Sequence, residues 1–112
     1  MTKVKQNRGV TLIELLIVVL ILAALSAIAI PRITQSAQNA KQNACDTNQS
    51  VMNSAIEMYA ADSSGDYPVD DTEMQTVVTG NTDYFPDGAP VCPSTGTYTM
   101  DSTTKRVSCT VH

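Results

Sequence analysis

From Val10 to Ile30 the chain reads VTLIELLIVVLILAALSAIAI, 21 residues in which only Thr11, Glu14 and Ser26 are polar and no Gly or Pro intervenes. A helix rising about 1.5 Å per residue would carry this run across roughly 31 Å, the depth of a bilayer core. Lys3, Lys5 and Arg8 precede it with no acid among them. The positive-inside rule then holds residues 1–9 in the cytoplasm and sends the rest outward in a single pass. A secretory signal peptide shares this basic-then-apolar order and ends at small residues such as Ala27-Ile28-Ala29, which would release residues 30–112. The run is longer than most such apolar regions and carries a carboxylate near its start, and both features count against cleavage there.

With 112 residues, the chain has room for one small domain beside this anchor. Three of the seven basic residues lie before residue 10, so the remainder holds four basic and eleven acidic side chains. Such a balance disfavours binding to a phosphate backbone, which needs clustered Lys and Arg. The pairs Arg32 with Lys41 and Lys105 with Arg106 form at most small local patches.

Glu14 is the costly residue of the apolar run. A carboxylate at the bilayer centre costs on the order of 2.5 to 3.5 kcal/mol, less near an interface, so an intramembrane acid is a functional candidate by default. Arg8-Gly9 followed by Val10-Thr11-Leu12-Ile13-Glu14-Leu15-Leu16 resembles the class III signal of type IV pilins and type II secretion pseudopilins. The resemblance implies that a prepilin peptidase cuts after Gly9 and methylates the amine of Val10. Glu14 becomes the fifth residue of the mature chain and pairs with the N-terminal amine of an adjacent subunit. A cation and an anion brought together in low dielectric attract strongly, whereas each alone is penalised. One departure from the family pattern is Val10, where Phe is usual and Met occurs sometimes. The resemblance also implies a homo-oligomeric helical filament served by an assembly ATPase and a membrane platform protein. The location would be an inner-membrane precursor, then an extracellular or periplasmic filament.

Pro31 closes the apolar run, where the family also has proline, and is expected to kink or locally open the helix. Beyond it, Ile33, Ala37, Ala40, Ala44, Val51, Ala55 and Met58 recur at helical spacings, with Met52, Ile56 and Tyr59 widening the stripe. Cys45 borders that stripe. An amphipathic helix over about residues 32–61 follows, stopped by the turn cluster Ser63-Ser64-Gly65-Asp66-Tyr67-Pro68. That cluster, with Asp62, resembles the Asp-x-x-Gly-x-Tyr-Pro segment frequent in major pseudopilins and short pilins.

Asp70 to Thr79 predicts a short helix with capping acids. Residues 96–100 and 106–111 predict a hairpin around Asp101-Ser102-Thr103-Thr104. The expected fold is α+β, a pilin-like lollipop. It has a leader (1–9), a transmembrane and filament-core helix (10–30), an amphipathic helix (31–62) and a small antiparallel head (63–112). The assigned site residues are Gly9 and Val10 for processing, and Val10, Glu14 and Pro31 for assembly.

Cys45, Cys92 and Cys109 show no CxxC spacing of a zinc site, so one disulfide with one cysteine left over is the simplest expectation. Cys92 with Cys109 would close a loop around the hairpin, and Cys45 with either is the rival; sequence does not choose among them. Major pseudopilins often hold calcium. Asp83, Asp87 and Asp101 offer oxygen ligands, but without EF-hand spacing no cofactor or metal ligand is assigned. His112, the lone histidine, lacks the partners of a nucleophile-base set, so no enzyme is expected.

Overall fold

The computed structural model describes Lys3 and residues 9–112, so most of the expected leader, Arg8 included, lies outside the described residues. The element order is α1 (Leu12–Asp62), α2 (Asp71–Met74), a π-helical turn (Gln75–Thr79), β1 (Tyr98–Met100) and β2 (Val107–Cys109). A long N-terminal helix with a two-stranded antiparallel sheet is the α+β class expected. The chain divides into two compact units, one ending at Ser36 and the other Ala37–His112.

In the first unit, α1 begins at Leu12, two residues later than the apolar run does. Pro31 lies inside α1 and helix is assigned straight through it, so the expected local opening does not form. A proline removes one backbone donor and its bond to the carbonyl four residues back, and the neighbouring turns can hold the rest. Every apolar side chain from Leu12 to Ile33 is exposed; Leu12 stands at 86% and the most covered, Ile17, at 49%.

In the second unit, the buried face of α1 runs through Cys45, Met52, Ala55, Ile56 and Ala60. Val51 and Met58, expected in the stripe, stand exposed at 47% and 57%, as do Ala37, Ala40 and Ala44. The spacing of apolar residues allowed two adjacent faces, and the head packs on the one carrying Met52 and Ile56. At the C-terminus of α1, Gly65 N–H reaches the Ala60 carbonyl at 2.7 Å, with Ser64 and Gly65 both at positive φ. This is a Schellman-type stop, and Gly65 adopts a φ of +99° that L side chains rarely take, although the space around it is open.

Asp70 caps α2: its Oδ1 accepts the Glu73 N–H at 2.8 Å, while the Glu73 carboxylate accepts the Val69 N–H at 2.7 Å. Met74 and Val78, one on α2 and one on the π turn, are fully buried against the α1 face. The hairpin pairs Tyr98 with Cys109, Thr99 with Ser108 and Met100 with Val107. Asp101 Oδ1 shapes its turn by accepting the N–H groups of Thr103 and Thr104 at 2.7 and 2.9 Å. Cross-element hydrogen bonds then fix the sheet: Met100 N–H donates to Asp71 Oδ1, and Val107 N–H to Asn53 Oδ1, each at 2.8 Å.

Candidate functional site

Two places in the chain carry more chemistry than packing requires, one in each unit. The first is the start of α1. Thr11 precedes the helix, and its Oγ1 accepts the Glu14 N–H at 3.2 Å while Glu14 Oε2 accepts the Thr11 N–H at 3.1 Å. This reciprocal pair is a capping box of the Thr-x-x-Glu type, which satisfies two of the donors that a helix start leaves unpaired. A carboxylate here also sits at the positive end of the helix dipole. Sequence reading assigned Glu14 to a partner in another subunit and missed this local role, although Thr11-Leu12-Ile13-Glu14 is legible as the motif. Among the described residues, the hydrogen bond of the Glu14 carboxylate is made through Oε2. Gly9 and Val10 lie just outside the helix in exposed chain without regular structure, with nothing within 4 Å of the Cβ position at Gly9.

Beyond this cap, α1 presents an apolar surface on all sides, long enough to cross a membrane and with none of its most apolar stretch buried. A core helix of a water-soluble domain would be covered by its own chain. Contiguous exposed apolar patches above a few hundred Å² mark membrane or protein contact.

The second place is a cluster of three thiols inside the second unit. Cys45 comes from α1, Cys92 from the loop before β1 and Cys109 from the end of β2, and all three are buried. Cys45 Sγ lies 3.4 Å from Cys92 Sγ, and Cys109 Sγ donates to Cys92 Sγ at 3.6 Å. All three sulfurs fall within 4.8 Å of one another. The three are free thiols in this structure, and each lies close to the others. Instead of selecting one pair, the fold puts Cys92 between the other two.

Each sulfur meets a different electrostatic environment. Burial pushes the Cys45 thiol up to about 11, against a smaller opposing contribution from the Tyr98 hydroxyl beside it. For Cys92, burial acts upward, but hydrogen bonds from the Ser94 and Gly96 backbone and from the other two thiols together hold it below its ordinary value. Tyr98 is pushed up to about 12 by burial and by its contact with Cys45, and its hydroxyl accepts the Asn48 amide at 3.0 Å. Gly96 is required by this crowding. A Cβ there would come within 2.6 Å of Cys109 Sγ, 2.8 Å of Val111 Cγ2 and 3.2 Å of Cys92 Sγ.

The acids weighed for calcium behave differently. Asp101 is occupied by its own turn, whose N–H groups hold its carboxyl below the usual range, and Asp83 donates its N–H to Asn81 Oδ1 at 2.9 Å. Among the described residues, the three cysteines are the set gathered closely enough to share an ion, and Asp83, Asp87 and Asp101 are not. His112, set aside on sequence grounds, places Nε2 at 3.2 Å from Ser94 Oγ, next to the Cys92 loop.

Comparison with known proteins bears on the first place directly. Residues 4–30 match the family described as the prokaryotic N-terminal methylation motif. The chain is 31% identical over 86 residues to the type II secretion system core protein G of Vibrio cholerae, an alignment covering 77% of this chain. It spans 58% of the length of that relative. No solved structure matches the chain. The N-terminal segment thus carries the prokaryotic N-terminal methylation motif, and both similarities support the type IV pilin and type II secretion pseudopilin family that the Arg8-Gly9 junction resembles.

Proposed function

We propose that the chain is a structural subunit, made as a single-pass inner-membrane precursor, cut after Gly9 and built into a helical pilus-like filament through the segment beginning at Val10. The observation that carries this reading is the surface of α1 from Leu15 to Ile30, exposed throughout and apolar but for Ser26. In the precursor, lipid covers it. In the filament, the same segment of neighbouring copies covers it, in head-to-tail contacts that do not close.

Glu14 gives the transition a direction. The capping box engages one carboxylate oxygen within the chain, and the other would accept the charged amine of Val10 from an adjacent copy. Desolvation makes each charge unfavourable in lipid until the pair forms, so assembly relieves both. Pro31 belongs to the same assembly segment. The family's prepilin peptidase, assembly ATPase and platform protein would supply processing and work, and nothing in the head is assigned catalysis.

A second reading narrows the first. The similarity to a secretion-system core protein supports a type II secretion pseudopilus rather than a surface pilus. The test is to shear cells producing the chain and probe both fractions with antibody to the head. Labelled surface filaments identify a pilus; a chain confined to the envelope, with protein secretion lost on its deletion, identifies a pseudopilus. In either case Glu14→Ala is expected to abolish filament assembly while leaving the precursor in the membrane. Normal filament yield from that variant would refute the electrostatic account, and a monomeric wild-type chain would instead favour an anchored or secreted binding module.

A further inference from the structure

We propose that Cys45, Cys92 and Cys109 form a zinc site, with His112 supplying the fourth ligand. The site goes beyond the filament role and stands or falls separately from it.

The geometry leads to this conclusion in steps. Tetrahedral Zn²⁺ binds sulfur at about 2.3 Å, which sets neighbouring sulfurs about 3.8 Å apart. Here two pairs stand at 3.4 and 3.6 Å and the whole set lies within 4.8 Å, so small side-chain rotations bring three sulfurs around one ion. The sulfurs arrive from three separate segments, 47 and 17 residues apart along the chain, and converge on one point. Soft thiolates select thiophilic ions and disfavour calcium and magnesium, and an added imidazole suits zinc.

The surroundings match what a metal thiolate needs. The backbone at Cys92 is held by a turn, with the Thr95 N–H donating to the Cys92 carbonyl at 3.2 Å, which fixes where that ligand sulfur starts. Gln49 Nε2 approaches Cys45 Sγ at 4.0 Å. Gly96 leaves the space beside Cys92 and Cys109 that any larger residue would fill. A cavity of about 240 Å³ is bordered by Cys92, Gly96 and Tyr98, so the Cys92 side of the cluster adjoins open space. His112 follows Cys109 by three residues and its ring contacts Ser94, two residues beyond Cys92, so it is the nitrogen donor assigned to the fourth position, which it would reach by moving toward the sulfurs. On binding, three S–H bonds are exchanged for three Zn–S bonds and the protons pass to solvent. The site would tie α1, the loop before β1 and the end of β2 together, a staple for a head with little core.

The test uses the full-length chain in detergent micelles, extracted without reductant. Metal counting after dialysis against Zn²⁺ is expected to give one zinc per chain, and alkylation under denaturing conditions is expected to find three free thiols. Replacing zinc by Co²⁺ should produce sulfur-to-metal charge-transfer absorption. Cys92→Ser should lose the ion. Because that variant's head could fail to fold, His112→Gln, at an exposed side chain, provides an independent readout and should weaken zinc binding by roughly 10- to 100-fold. A disulfide in the extracted chain, or three free thiols that retain no zinc, overturns the site. Unchanged affinity in His112→Gln overturns the fourth ligand.

Discussion

The two units of this chain solve the problem of apolar surface in opposite ways. In the unit ending at Ser36, apolar side chains from Leu12 to Ile33 are exposed throughout, whereas in Ala37–His112 residues of the same kind, such as Ile56 and Val78, are almost wholly covered. One helix carries both behaviours, so local helix propensity does not distinguish them. What differs is the supply of partners. The second unit brings its own sheet, short helix and loop to one face of α1, and the first has only what another molecule or a membrane provides.

The largest effect that would sharpen this contrast comes from truncating one isoleucine in each unit. Ile56→Ala removes a side chain that is 1% exposed and should cost about 2–5 kcal/mol of head stability, read as a shift in the urea unfolding midpoint. Ile17→Ala, at 49% exposed, should leave that midpoint unchanged. Equal effects would break the distinction.

Overfilling the thiol cluster comes next. Gly96→Ala drives a methyl to within 2.6 Å of a sulfur and should destabilise the head by about 1–3 kcal/mol in the same measurement. A neutral result would mean the cluster is looser than its distances imply. At the start of α1, Thr11→Ala removes one half of the capping box and should cost about 0.5–2 kcal/mol, seen as faster amide exchange in the first turn with no change in the head.

The smallest effects are at the pH extremes. Asp101 has a depressed folded pKa, so its contribution is present above the unfolded value of about 3.9 and is lost as pH falls below it. Tyr84 is raised to about 12, first by its hydrogen bond to Asp62, so its contribution is present below about 10 and lost as pH rises between the two values. Asp101→Ala and Tyr84→Phe should each flatten their own edge of the stability-pH curve and leave the other intact.

Much of the fold was legible because it is locally encoded. The apolar run, the Ser63-Ser64-Gly65 stop, the Asp70 cap and the Asp101 turn each depend on residues a few positions apart, and each appears where the pattern put it. The face of α1 was harder: Val51 and Met52 are adjacent, and only the head decides which one turns inward. Cys45 and Cys92 touch across 47 residues, a distance over which no spacing rule operates, so a search for paired cysteines with metal-site spacing passed over them. The reciprocal hydrogen bonds of Thr11 and Glu14 were within reach of sequence but were obscured by the intermolecular role assigned to Glu14.

The most direct test of the central claim is N-terminal sequencing and intact mass of the chain recovered from the cells that make it. The account predicts a mature protein beginning at Val10, one methyl group heavier at its amine. A chain beginning at Ile30, or one still carrying Met1, would contradict it.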